Sequence, residues 1–241
     1  MDRKLRKQIK DDPFARELKH TVSLVEEHKD SIIRYGGIAL GVIVIGLGIY
    51  FFVRHQASVR EDALNHALLV DDANVGPAPS KPGGLAFATQ DEKDKARTKA
   101  FSDLAAQYHG SDEGAIAQMQ LASDAADKND LATAERIYKD VVDSAPKEYA
   151  AMAKLSLSSV YLGEGKSGDA EKLLRDLMAH PTATVSKDEA AIHLAKLIAK
   201  NGRSGCDEAR KLLEPMRTER TAISRAAVTA LGEIGACQSG S

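Results

Sequence analysis

The sequence predicts an all-α chain: a single N-terminal transmembrane helix followed by a solenoid of helical hairpins. Three observations predict it. Residues Tyr35 to Val53 run for 19 positions without a charge. Ala, Leu, Lys and Glu, all strong helix formers, dominate the second half, where no run keeps a clean period-two alternation. A small residue followed four positions later by a large apolar one also recurs in three helix-length segments. The net charge of −2 excludes a globally basic nucleic-acid binder.

Residues 1–34 read as a basic cytoplasmic tail and 35–53 as the membrane helix. At about 1.5 Å per residue the apolar run reaches about 28 Å, close to the roughly 30 Å of a hydrocarbon core. A cleaved signal peptide would pair a short basic lead with an apolar region of roughly 7–15 residues. Here the lead is 34 residues long, so an uncleaved anchor fits better. Nine Lys and Arg precede Tyr35, and three (Arg54, Arg60, Lys81) follow Val53 up to residue 88. That bias puts the N-terminus in the cytoplasm and the rest of the chain outside it. The cluster Arg3–Lys7 is followed by Asp11, Asp12 and Glu17, so nucleic acid is not an expected partner. Gly37 and Gly41 form a Gly-x-x-x-Gly pair, a candidate site of membrane helix packing.

Residues 54–70 can extend the helix, with Val59, Ala63, Leu64, Ala67 and Leu68 on one stripe. Residues 71–88 hold three Pro and three Gly and read as a flexible linker. Thr89 and Glu92 make a capping box, so a helix is expected over about 90–108. The domain that follows, 89–237, ends in a capping helix, Ala222–Ala236. Residues 238–241 read as a disordered tail.

The recurrence within 89–237 is anchored on Ala134, Ala170 and Ala209, which are 36 and 39 residues apart. Each anchor is preceded by a turn and an earlier helical segment, Ala115–Ala126, Ala150–Leu162 or Lys187–Ala199. The pattern resembles the tetratricopeptide repeat, a helix–turn–helix unit of about 34 residues. Leu121, Ala134, Tyr138, Val141 and Pro146 stand in signature places of a first repeat. Leu157, Tyr161, Gly165, Ala170, Leu174 and Leu177 do so in a second. The third matches through Ala209, Leu213 and Met216, with a longer turn expected before them. Alanine suits the anchor because the two helices of a hairpin cross closely.

Gly163, Gly165 and Gly168 have the spacing of a dinucleotide loop, and Gly165-Lys166-Ser167 resembles the end of a phosphate loop. A dinucleotide loop needs a preceding strand, and helical spacing precedes this one. A phosphate loop needs Gly where Val160 stands. The reading is therefore a turn, with Ser167 as the expected cap of the next helix. The seven His make no metalloprotease pattern, and no nucleophile elbow occurs. No catalytic residue, cofactor, metal or nucleotide is expected.

Cys206 and Cys237 are candidate disulfide partners, since an exported domain sits where bridges persist. The loop of about thirty residues would add roughly 3–4 kcal/mol. The alternative is two partly buried thiols.

The basic tail, single anchor, outward helix and hairpins, with Phe101, Leu104 and Tyr108 leading into the first repeat, resemble the bacterial family of ancillary Sec-translocon subunits. The tetratricopeptide domain of that family is also grouped with that of a periplasmic cell-division coordinator. The resemblance covers about residues 10–200, and the stretch 71–88 looks like an insertion relative to it. It implies a single-pass protein of the bacterial inner membrane, an adaptor at the Sec translocon binding exported clients or periplasmic chaperones. A scaffold that clusters envelope or division partners is the alternative. In this register the expected groove lining is Ile116, Met119, Ser123, Met152, Leu155 and Ser159, apolar with hydroxyls.

Overall fold

The computed structural model describes residues 29–79, 83–217 and 222–235. The chain divides into two compact units, one up to Val59 and one from Arg60. Among the described residues there are nine helices and one two-stranded sheet.

Helix α1 spans Lys29–Asp71. Its apolar part is long enough to cross a membrane, with a mean hydropathy of 2.3, and no part of that window is buried within the protein. No soluble packing therefore accounts for its all-round apolar surface. Arg54, at the end of the uncharged run, turns back so that its Nη1 donates to the Tyr50 hydroxyl at 2.9 Å. That satisfies the phenol beside apolar neighbours.

In the second unit, the end of α1 carries Ala67, which is buried with Phe101, Leu104, Ala105 and Ala117 in a small apolar cluster. Two strands follow: β1 (Asn74–Val75) and β2 (Ala86–Phe87). They pair in parallel, with Asn74 opposite Ala86 and Val75 opposite Phe87. The Pro- and Gly-rich stretch expected to be a flexible linker thus contains a short ladder. Two residues per strand are too few to leave an alternation in the sequence.

Helix α2 (Gln90–Gln107) is capped by Thr89, whose side chain accepts from Glu92 N. The returning Glu92 carboxylate accepts from Ala88 N at 3.2 Å, one residue earlier than in a standard capping box. Three hairpins then follow in order. They are α3 (Asp112–Asp127) with α4 (Leu131–Ser144), α5 (Lys147–Gly163) with α6 (Ser167–Ala179), and α7 (Lys187–Ile198) with α8 (Gly202–Arg217). Helix α9 (Ala222–Gly235) packs on α7 and α8. From α2 onward each helix packs on its sequence neighbour, and the first helices of hairpins one and two, α3 and α5, also touch. This is the architecture of a helical-repeat solenoid.

The anchors explain the packing. Ala134, Ala170 and Ala209 have no exposed surface, nor do Val141, Leu174 and Leu213, while Tyr138, Leu177 and Met216 are buried. Ala122 and Ser158 hold corresponding places on α3 and α5, and small side chains there allow the close crossing. In the first two turns a left-handed residue ends the helix: Asn129 (φ 60) and Gly165 (φ 77). Lys166 N then bonds back to Tyr161 O at 2.8 Å, as Asp130 N does to Ala125 O at 2.8 Å.

The third hairpin corrects the expectation of a longer turn. Three residues separate α7 from α8, as between the helices of the other two pairs. The extra residues before Ala209 are one more helical turn at the front of α8. That turn runs so close to α7 that a β-carbon on Gly205 would lie 2.0 Å from Ile198 O. Ser167, expected to cap α6, is instead its first residue; the cap position is Lys166, with no side-chain cap bond.

Candidate functional site

The six residues expected to line a groove divide into three matching pairs on α3 and α5. Met119, Met152 and Leu155 are half-buried and packed against the main core. Ile116 and Ser123 are half-buried, and Ser159 is exposed. The Ser123 and Ser156 side chains lie near the Tyr138 phenol and hold its pKa down somewhat. Burial, only partly offset by these two hydroxyls, pushes the Tyr138 phenol up. One α4 side chain therefore lies between the first helices of successive repeats. The cavities described below take none of their walls from the six residues.

The Gly-Lys-Ser segment forms the second turn, and its lysine is held by carboxylates. Lys166 Nζ lies 2.7 Å from Glu135 and 2.9 Å from Glu164. It also sits 5.5 Å from the centroid of the Tyr161 ring, with Lys139 5.7 Å from the same ring. Glu135 pairs with Lys139 as well. Lys139 first, then Lys166, hold the Glu135 carboxyl at about 2; Glu135 and Glu164 hold the Lys166 ammonium well above its ordinary range. Gly163 is the last residue of α5, where a β-carbon would lie 3.0 Å from Leu131 Cδ1.

A second charged cluster secures the entrance to the repeats. Arg97 pairs with Asp71 and with Asp124, the latter also at 2.9 Å through Nη2, while its guanidinium sits 5.6 Å from the Phe101 ring centroid. Arg60 Nε bonds Glu113 at 3.0 Å. These contacts tie the end of α1 to α2 and α3. Nothing in the spacing of these residues along the sequence announces the cluster.

A cavity of about 480 Å³ opens beside the end of α1 and α2, with Ala63, Val70, Ala96, Ala100 and Leu104 among its walls. Another, of about 500 Å³, lies between the end of α5, α7 and α9. A third, of about 330 Å³, is bounded by α4, α5 and α6 and holds the Lys154–Asp176 pair, 2.6 Å apart. No group of three metal-ligating side chains converges among the described residues.

Cys206 is buried on α8 and its Sγ donates to Ala199 O at 3.3 Å. Cys237, its expected partner, lies outside the described residues. Gly37 and Gly41 have no heavy atom within 4 Å of where a β-carbon would stand.

Stacked hairpins with small residues at each crossing define a helical-repeat protein, an architecture suited to protein–protein interaction. The family described as a tetratricopeptide repeat-like domain matches residues 32–181, more than half of the chain. The chain belongs to that family. No curated protein and no solved structure matches it. The match begins at residue 32, near the start of α1 and just ahead of its apolar run, and ends just after α6, so α7, α8 and α9 lie beyond it.

Proposed function

We propose that the chain is a membrane-anchored adaptor whose repeat unit binds other proteins on the extracytoplasmic face, beside the Sec translocon. Its partners there are exported clients or the chaperones that receive them. The observation that carries this reading is the joining of an apolar, spanning-length helix to tetratricopeptide-type hairpins within one family match. The excess of Lys and Arg before Tyr35 supports an N-terminus in the cytoplasm and a single pass through the bacterial inner membrane. Such repeats bind through side chains on the first helix of each pair. The test is crosslinking of the full-length protein in its native membrane, followed by mass spectrometry. Translocon components or periplasmic chaperones should be enriched, and lost when the repeat unit is removed. Enrichment of division or cell-wall proteins alone sinks the translocon reading.

A scaffold that clusters in the membrane is the second reading, favoured by the Gly-x-x-x-Gly spacing of Gly37 and Gly41, which suits close helix approach. Replacing both by Leu should disrupt a scaffold more than Met152→Asp does. An adaptor reverses that order.

A further inference from the structure

The cavity between α5, α7 and α9 draws two of its three walls from helices beyond the family match. Leu162, Leu197, Ala199 and Ile234 make its apolar part. At about 500 Å³ it is large enough for side chains of a bound chain. Two lysines, Lys196 and Lys200, share it with a single carboxylate, Glu233, and with His193, whose imidazole burial pushes toward the neutral form. Lys196 Nζ already meets Glu233 at 3.0 Å, a pair that bridges α7 to α9 and cancels both charges. Lys200, exposed in the turn after α7, has no carboxylate partner among the described residues. An uncompensated ammonium beside an apolar floor selects a carboxylate carried next to an apolar group.

We propose that this cavity docks an acidic segment of a partner polypeptide, with an apolar side chain against Leu197 and Ile234 and a neighbouring carboxylate on Lys200. The inference rests on the reading of the chain as a protein-binding module and names the chemistry of its partner. Charge complementarity disfavours a basic segment, which would meet the unpaired Lys200 ammonium while Lys196 and Glu233 neutralise each other. The site needs no hydroxyl from Ser123 or Ser159, so it is separate from the lining expected on α3 and α5.

The test uses the full-length protein in detergent and a short fluorescein-labelled peptide alternating Leu and Glu. Counterparts alternate Leu with Lys, and Ser with Glu. Anisotropy should show the Leu/Glu peptide bound most tightly, with Lys200→Glu weakening it about tenfold and Lys200→Arg keeping it. Equal binding of the Leu/Glu and Leu/Lys peptides, or no loss on Lys200→Glu, overturns the proposal. So does tighter displacement by oleate than by unlabelled peptide, which assigns the cavity to an amphiphile. Loss of competition when residues 236–241 are deleted, with a matching gain in peptide affinity, makes that segment the occupant instead. If crosslinking still captures partners while Lys200→Glu changes nothing, this site falls and the adaptor reading stands. If neither peptide nor partner binds, both fall.

Discussion

Replacing Gly205 by Ala puts a methyl group 2.0 Å from Ile198 O and 3.0 Å from Ile198 C. Real β-carbons do not approach within 3.0 Å, so α8 and the end of α7 must separate by about an ångström. The obstacle is backbone, which cannot rotate away as a side chain would. Forced overpacking of this kind costs about 1–3 kcal/mol. Alanine returns about 1 kcal/mol of helix propensity. With a rigid carbonyl as the obstacle the upper part of the range applies, and the net loss is about 1–2 kcal/mol. For a unit of this size each kcal/mol moves the melting point by about 2–4 °C, so Tm should fall by about 2–8 °C. Thermal unfolding of the full-length protein followed by far-UV circular dichroism measures this. Gly168→Ala is the internal control, since it is helical with nothing within 4 Å, and it should leave Tm unchanged or raise it slightly. A Gly205→Ala protein melting at or above the parent would refute the claim that close helix contact selects glycine there.

Phe101 is only 1% exposed, and Phe101→Ala should cost about 3–4 kcal/mol, seen as a lower urea midpoint. Arg97→Met leaves Asp71 and Asp124 without their shared cation; a loss of about 2 kcal/mol and faster proteolysis near residues 71–88 are expected. Gly165→Ala must hold φ near +77° and should lose about 1 kcal/mol by chemical denaturation, whereas Gly165→Asn should lose less. Glu135 has a folded value of about 2, below its ordinary 4.5. Its contribution is complete above pH 4.5 and disappears as pH falls through about 2. The Tm gap between the parent and Glu135→Gln should therefore close over that interval, and a gap that widens on acidification would contradict the pairing.

Elements whose signal is local were legible in the sequence. The uncharged run, the Thr89 cap and the anchor alanines each depend on residues a few positions apart, and α1, α2 and the three hairpins follow from them. The boundary of α8 was not legible, because an added helical turn and a longer loop use the same number of residues. Gly205 alone distinguishes them, and its reason is a carbonyl on another helix. Gly114 is a similar case: inside α3 it reads as a weak helix residue, yet a β-carbon there would lie 2.0 Å from Tyr108 O. The parallel pair of β1 and β2 was invisible because two residues carry no period. At the candidate site, the hydroxyls of Ser123 and Ser159 look alike in the sequence. Only the position of Tyr138 on α4 separates the half-buried serine beside its phenol from the exposed one. The Arg97 and Lys166 clusters join residues about 30 positions apart, a distance at which charge patterning is silent.

The Lys166–Glu135 and Arg175–Glu208 pairs each clasp one repeat to the next, 31 and 33 residues along the chain. Both are near solvent, where ions act over roughly 8 Å at physiological strength. The Tyr138 phenol, set between Ser123 and Ser156, lies deeper and is shielded from added ions. The stack thus has two kinds of restraint: outer clasps that weaken in salt and buried packing around Tyr138 that does not. Raising ionic strength should therefore loosen the contacts between repeats before it unfolds them, so the environment can change how far the repeats yield to a ligand while they remain folded.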